Sequence, residues 1–172
     1  GVIIKYDQVG NQLWESKVTG AGYRSTYYCS MQLTPAGHVA VAAASYGKGG
    51  GTNCMTQLYD SKGKKLWQAW YDGPTHSHDH PTDLVVDRDG NVCITGMSHG
   101  TNNNDCITIK YSPSGEELWA ARYNGPADSS DQASAITVDS AGQFYVAGYS
   151  YHPDSHYDML TVKYSSSGQE LW

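Results

Sequence analysis

"IKYSPSGEELW", residues 109–119, decides how this chain is read. A short run of β-formers leads into Ser-Pro-Ser-Gly and out again through Leu-Trp, which is the pattern of two strands joined by a tight turn. The string returns as "IKYDQVGNQLW" (residues 4–14), "QLYDSKGKKLW" (residues 57–67) and "VKYSSSGQELW" (residues 162–172). Its tryptophans, Trp14, Trp67, Trp119 and Trp172, recur every 52 or 53 residues, and Gly10, Gly63, Gly115 and Gly168 keep step with them. A fixed period of this length marks a repeat architecture.

A second block follows the first three tryptophans. "DLVVDRDGNVCITGMS" (residues 83–98) aligns with "AITVDSAGQFYVAGYS" (residues 135–150), and "SMQLTPAGHVAVAAAS" (residues 30–45) is a diverged copy. Each unit therefore reads as four strands, A to D, placed in the third copy at residues 83–87, 91–98, 106–111 and 117–123. Four antiparallel strands repeating near 50 residues are the signature of a propeller blade. The expected fold class is all-β, a β-propeller of four-stranded antiparallel blades forming a single region over residues 1–172. Residues 1–20 supply strands C and D of a partial blade, and 21–73, 74–125 and 126–172 are blades, the last with its final strand cut short. About three and a half blades do not close a ring. The expectation is a segment of a larger propeller, or one completed by another chain.

These residues resemble the bacterial β-propeller repeats known as SBBP repeats. The resemblance covers essentially the full chain and is fullest in the last copy, through Asp131, Ala133, Asp139, Gly142, Tyr145, Gly148, Ser150, Asp158, Lys163, Tyr164, Gly168 and Trp172. The first full copy departs from the pattern: Thr34 stands where Asp87 and Asp139 do, Ala43 where Gly96 and Gly148 do, and Leu58 where the lysines do. The resemblance implies an exported or cell-surface bacterial protein, extracellular or in the cell envelope, in which the repeats serve as binding or spacer modules without shared catalytic residues.

Composition excludes several partner classes. The net charge is −6 with no basic stripe, which disfavours nucleic acid. No apolar run reaches the roughly 18 residues of a membrane span, so no membrane insertion is expected. Cys29, Cys54, Cys93 and Cys106 form no CxxC, and buried free thiols are the favoured reading, with disulfides as the alternative. No GxSxG elbow and no phosphate-binding GxxxxGK[ST] loop is present.

A repeat separates architecture from chemistry, because what recurs in every copy belongs to the unit and what occurs once is free to serve function. Trp14, Trp67, Trp119 and Trp172 are read as core, filling the gap between neighbouring blades. Asp79 and Asp131, and Asp87 and Asp139, are read as turn-capping structural acids. The run "GPTHSHDH" (residues 73–80) is different, since His76, His78 and His80 align with Asp128, Ser130 and Gln132. In a four-stranded meander the D-to-A and B-to-C connections share one face. That face gathers His76, His78, His80, His99, His152 and His156 with Tyr27, Tyr28, Tyr46, Tyr151 and Tyr157, and the loops "YGKGGG" and "TNNND".

Alternate histidines of an extended segment point the same way, but the outer two lie roughly 13 Å apart at about 3.3 Å per residue. A metal site would combine two of His76, His78 and His80 with His99 or an acidic neighbour, and a transition metal is the one cofactor candidate. The favoured function is a non-enzymatic binding or structural module that contacts a protein, a glycan or further copies of itself through the His- and Tyr-rich face. The alternatives are a metal- or cofactor-dependent enzyme site on that face, and an assembly protein pairing through open blade edges.

Overall fold

The computed structural model describes residues 1–20, 26–47 and 50–172. Among them every regular element is a β-strand: β1 (Val2–Tyr6), β2 (Gln12–Lys17), β3 (Thr26–Leu33), β4 (Val39–Tyr46), β5 (Thr52–Tyr59), β6 (Lys65–Tyr71), β7 (Asp79–Val86), β8 (Val92–His99), β9 (Asn104–Tyr111), β10 (Glu117–Tyr123), β11 (Asp131–Val138), β12 (Phe144–His152) and β13 (His156–Tyr164). They form four antiparallel sheets in chain order: β1-β2, β3-β4-β5-β6, β7-β8-β9-β10 and β11-β12-β13. Beyond β13 the last sheet continues through the bridge Tyr164–Glu170 and through Lys163, whose N–H donates to Trp172 O and whose carbonyl accepts the Leu171 N–H, both at 2.8 Å.

The sheets repeat in detail. Strand A of each four- or three-stranded sheet carries one extra residue against its partner, at Cys29, Thr82 and Ser134. Strand D carries another at Leu13, Leu66 and Leu118, immediately before the tryptophan. A bulge bends and twists the strand. It turns these leucines outward to solvent while the tryptophan that follows is turned against the next unit.

β7 begins four residues earlier than the expected strand A, so Asp79 and His80 are strand residues. The approach is allowed by Gly96, where a Cβ would stand 2.0 Å from the His80 carbonyl oxygen; Gly148 plays the same part against Gln132.

Apolar packing lies between sheets. Ala40, Ala42, Cys54 and Leu58 of the second unit interdigitate with Leu84, Ile94, Ile107 and Ile109 of the third. Val85, Cys93 and Cys106 of the third meet Ile136, Phe144, Val146 and Leu160 of the fourth. Ile3 and Val18 of the first meet Val41, Met55 and Tyr59 of the second. β5 and β9 consequently read as almost continuously buried strands, covered on both faces.

At the rim one contact recurs at every junction. The Trp14, Trp67 and Trp119 indole N–H groups donate to the carbonyls of Ser61, Pro113 and Ser166 at 2.9, 2.9 and 3.1 Å. Each acceptor stands two residues before the glycine of the next unit's C–D turn. The rings lie flat against that glycine: a Cβ on Gly63, Gly115 or Gly168 would fall 2.7, 2.7 and 2.6 Å from the ring of Trp14, Trp67 and Trp119. The tryptophans are thus half-buried junction residues and not interior core, because the ring must reach a surface turn. Trp172 is exposed, with no following turn among the described residues.

Truncating a seated ring removes both the packing and the hydrogen bond. Trp67→Ala should lower unfolding free energy by about 2–4 kcal/mol, whereas Trp172→Ala should change it by less than about 0.5 kcal/mol, measured by urea denaturation. Equal losses at the two positions would contradict the interlocking role.

Candidate functional site

The D-to-A connection is built on a buried carboxylate. Asp79 accepts the Gly73 N–H at 2.7 Å and Asp131 accepts the Gly125 N–H at 2.6 Å, closing the same loop in two units. Within each loop one non-glycine residue is left-handed, His76 at φ 51° and Asp128 at φ 46°. The loop then pairs with the end of strand B, His99 N–H donating to His78 O and Tyr151 N–H to Ser130 O, both at 3.0 Å. D-to-A and B-to-C connections therefore lie together, as the meander demands.

This backbone divides the three histidines. The turn at His76 breaks the extended course, so the three do not share one direction. His76 Nδ1 faces the Asp72 carboxylate at 2.9 Å, in solvent. His78 and His80 do lie side by side, ring centroids 6.2 Å apart, and both reach the Thr52 hydroxyl of the neighbouring unit, at 3.1 and 2.8 Å. His99 is turned to its own hairpin, with Nδ1 3.0 Å from Asn104 Oδ1. His152 sits above the Asp154 N–H at 3.3 Å. Among the described residues no three His, Cys, Asp or Glu side chains converge as a metal cage. His78 and His80 serve as a polar strut to Thr52 across a unit junction, whereas His76, His99 and His152 bond within their own connections.

A second feature emerges where β12 meets β13. Tyr157 stands edge-on to Tyr149 and Tyr151 at centroid distances of 5.1 and 5.4 Å, and His156, left-handed at φ 68°, packs against Tyr151 at 6.2 Å. Tyr157 is largely exposed. Tyr27 and Tyr28 are exposed on β3, and Tyr46 is half-buried at the end of β4, on a different sheet from this cluster. Residues 48–49 of the "YGKGGG" loop, and residues 21–25 of the second unit's D-to-A connection, lie outside the described residues.

The recurrent acids hold turns. Asp87 caps the N–H groups of Asp89 and Asn91, and Asp139 those of Ala141 and Gln143. Asp87 also forms a buried ion pair with Lys110 at 3.0 Å. Burial opposes its ionisation, yet the Asn91 and Lys110 hydrogen bonds and the Lys110 charge hold it below the ordinary carboxylate value. Lys110 continues over the Phe144 ring of the next unit at 4.9 Å. In the second unit both partners change together, to Thr34 and Leu58. Thr34 still caps its turn, its hydroxyl oxygen accepting the His38 N–H at 3.1 Å, and the register of β3, β4 and β5 is kept.

Arg122 escaped the sequence reading. Its guanidinium joins Asp105 at 2.6 Å, the Ser98 hydroxyl at 2.6 Å and Tyr71 of the preceding unit at 3.3 Å, directly beneath the histidine loops. The signal was present: Lys17 and Trp70 occupy the aligned positions of the first and second units, so the arginine itself stands in one copy. The four thiols are free, Cys29 half-buried and the others buried. Burial pushes Cys106 up to about 12 and Cys54 and Cys93 well above their ordinary value, which suppresses the thiolate that nucleophilic or metal chemistry requires.

No protein-family model matches the chain, and no curated protein matches it in sequence.

Two measurements check this assignment of roles. Asp87→Thr or Lys110→Leu alone should cost about 3–5 kcal/mol by leaving a buried charge unpaired, while the double variant, which copies the second unit, should recover most of that loss in urea denaturation. Burial, then the neighbouring His78, lowers the pKa of His80. The unfolded chain therefore binds the proton first, and stability present above about pH 6.5 falls as pH drops through that value. Asp79, raised by burial, contributes with the opposite sign, lost as pH rises through the carboxylate range. Between pH 7.5 and 5.5 the wild type should lose stability that His80→Gln does not; identical slopes would contradict the strut role.

Proposed function

We propose that the four sheets are blades of a β-propeller segment of the SBBP-repeat type, acting as a non-enzymatic binding module of an exported or cell-surface protein. The observation that carries the binding role is the Tyr149–Tyr151–His156–Tyr157 cluster. It is a group of rings held edge to face, His156 and Tyr157 exposed and Tyr149 and Tyr151 half-buried, on the same side of the unit as the D-to-A loops. It belongs to one unit alone: Met97, His99 and Asn104 stand at the positions of the three tyrosines in the third unit. Rigid tyrosines present apolar faces and hydroxyl tips at little entropic cost, which suits a sugar ring or a protein side chain. The histidines support a recognition surface over a metal centre, because each spends a ring nitrogen or a ring face on a loop neighbour.

The test uses a glycan array together with photo-crosslinking from position 157. A retained ligand should lose about 30-fold in affinity in the Tyr151→Ala/Tyr157→Ala variant, a loss typical of central aromatic contacts, with the circular dichroism unchanged. Undiminished binding by that variant would overturn the role of the cluster. Stoichiometric zinc, copper or nickel lost on His78→Ala/His80→Ala would overturn the non-enzymatic reading in favour of the metal-dependent one.

A further inference from the structure

Strand D forms the outer edge of each four-stranded sheet. β6 ends the sheet of the second unit and β10 that of the third, and the chain leaves each directly for strand A of the next unit. An edge strand is where a sheet can meet a partner. The bulges at Leu66 and Leu118 interrupt both edges and turn the two leucines outward, 46 and 49 % exposed. Among the described residues neither leucine joins a core cluster, so the packing of the units leaves both free for a contact outside the chain.

The charges beside them are opposite in sign. Residues 60–67 carry Lys62, Lys64 and Lys65 against the single acid Asp60, whereas the aligned residues 112–119 carry Glu116 and Glu117 and no base. Lys64–Lys65 and Glu116–Glu117 hold the same two positions of the repeat, directly before the leucine, and all four are exposed. None of the four belongs to an ion pair among the described residues. Lys65 Nζ donates to the Gln68 amide oxygen at 2.8 Å. The first and fourth units have Asn11–Gln12 and Gln169–Glu170 at these positions, so the opposed pairs are confined to two neighbouring units.

We infer that two copies of this chain associate side by side through these rims. A two-fold axis parallel to the strands sets β6 of each copy beside β10 of the other, with the C–D turns at one level. Lys64 and Lys65 of one copy then meet Glu116 and Glu117 of the second, twice over, and Leu66 and Leu118 fill the space beneath the charges. A second copy is the occupant because one chain presents both signs at equivalent positions of adjacent units, which makes the surface complementary to itself under that symmetry. A peptide of one sign would match one rim and be repelled by the other. The bulges that turn the leucines out also break the edge, so the contact is one of side chains and not of a continued sheet. The inference stands apart from the tyrosine cluster, which lies where β12 meets β13 in the fourth unit.

Sedimentation velocity of the full chain over a wide concentration range, in low salt and in about 0.5 M salt, tests this. The wild type should form a dimer that stops at two copies and weakens more than about tenfold at the higher salt, where exposed charges are screened. Lys64→Glu/Lys65→Glu makes both rims acidic, and Glu116→Lys/Glu117→Lys makes both basic. Each variant should stay monomeric, because like charges now face one another, with unchanged circular dichroism. Mixed together, the two should recover a 1:1 dimer, since every basic rim then faces an acidic one. A wild type that stays monomeric throughout, variants that associate as the wild type does, or a mixture that fails to dimerise would each overturn the inference.

Discussion

The fit of an indole ring over a glycine turn is the contact on which the arrangement of these sheets depends. A four-stranded sheet apolar on both faces has no stable existence alone; it requires a neighbour on each side. Apolar burial between sheets supplies most of the driving force but no direction, because such contacts are roughly proportional to area. The tryptophan supplies direction. Its N–H must find one carbonyl, its face needs a residue without Cβ, and both lie in the following unit, never the preceding one. Unit order and orientation follow from that asymmetry.

Much of this was legible in the sequence because the C–D half of the unit is written four times and the A–B half three times. The tryptophan and glycine period fixed the strand pairs and their turns, and strands B, C and D of the third unit lie within two residues of where the pattern put them. What the period could not convey was the destination of each residue. A recurring tryptophan reads as core, yet the ring is half-buried at a rim, and only the distance to the next unit's glycine explains why the two keep step. The early start of β7 was likewise hidden, since it depends on Gly96 making room for a carbonyl in a neighbouring strand.

The candidate site was less legible, for a physical reason. Alternation along an extended segment predicts a shared direction for His76, His78 and His80, but one left-handed residue redirects the first of them, and that conformation was invisible without the repeat loop around Asp128. Arg122 was not legible because a lone arginine carries no ligand spacing, and its partners Tyr71, Ser98 and Asp105 come from three strands that only the fold brings together. The paired exchange of Asp87 and Lys110 for Thr34 and Leu58 shows the opposite case: two departures that look like separate lapses are one substitution, of an ion pair by a hydroxyl cap and an apolar side chain.

If junctions hold the units in place, their indole N–H groups should open only when the stack itself opens. Hydrogen exchange of the Trp14, Trp67 and Trp119 indole protons, followed by NMR alongside the backbone amides of β4, β5, β8 and β9, tests this most directly. Exchange of the three indoles on the same timescale as those central strands, and slowed in step with them as stability rises, is the predicted result. Rapid exchange of the indoles while the central amides stay protected would contradict the account.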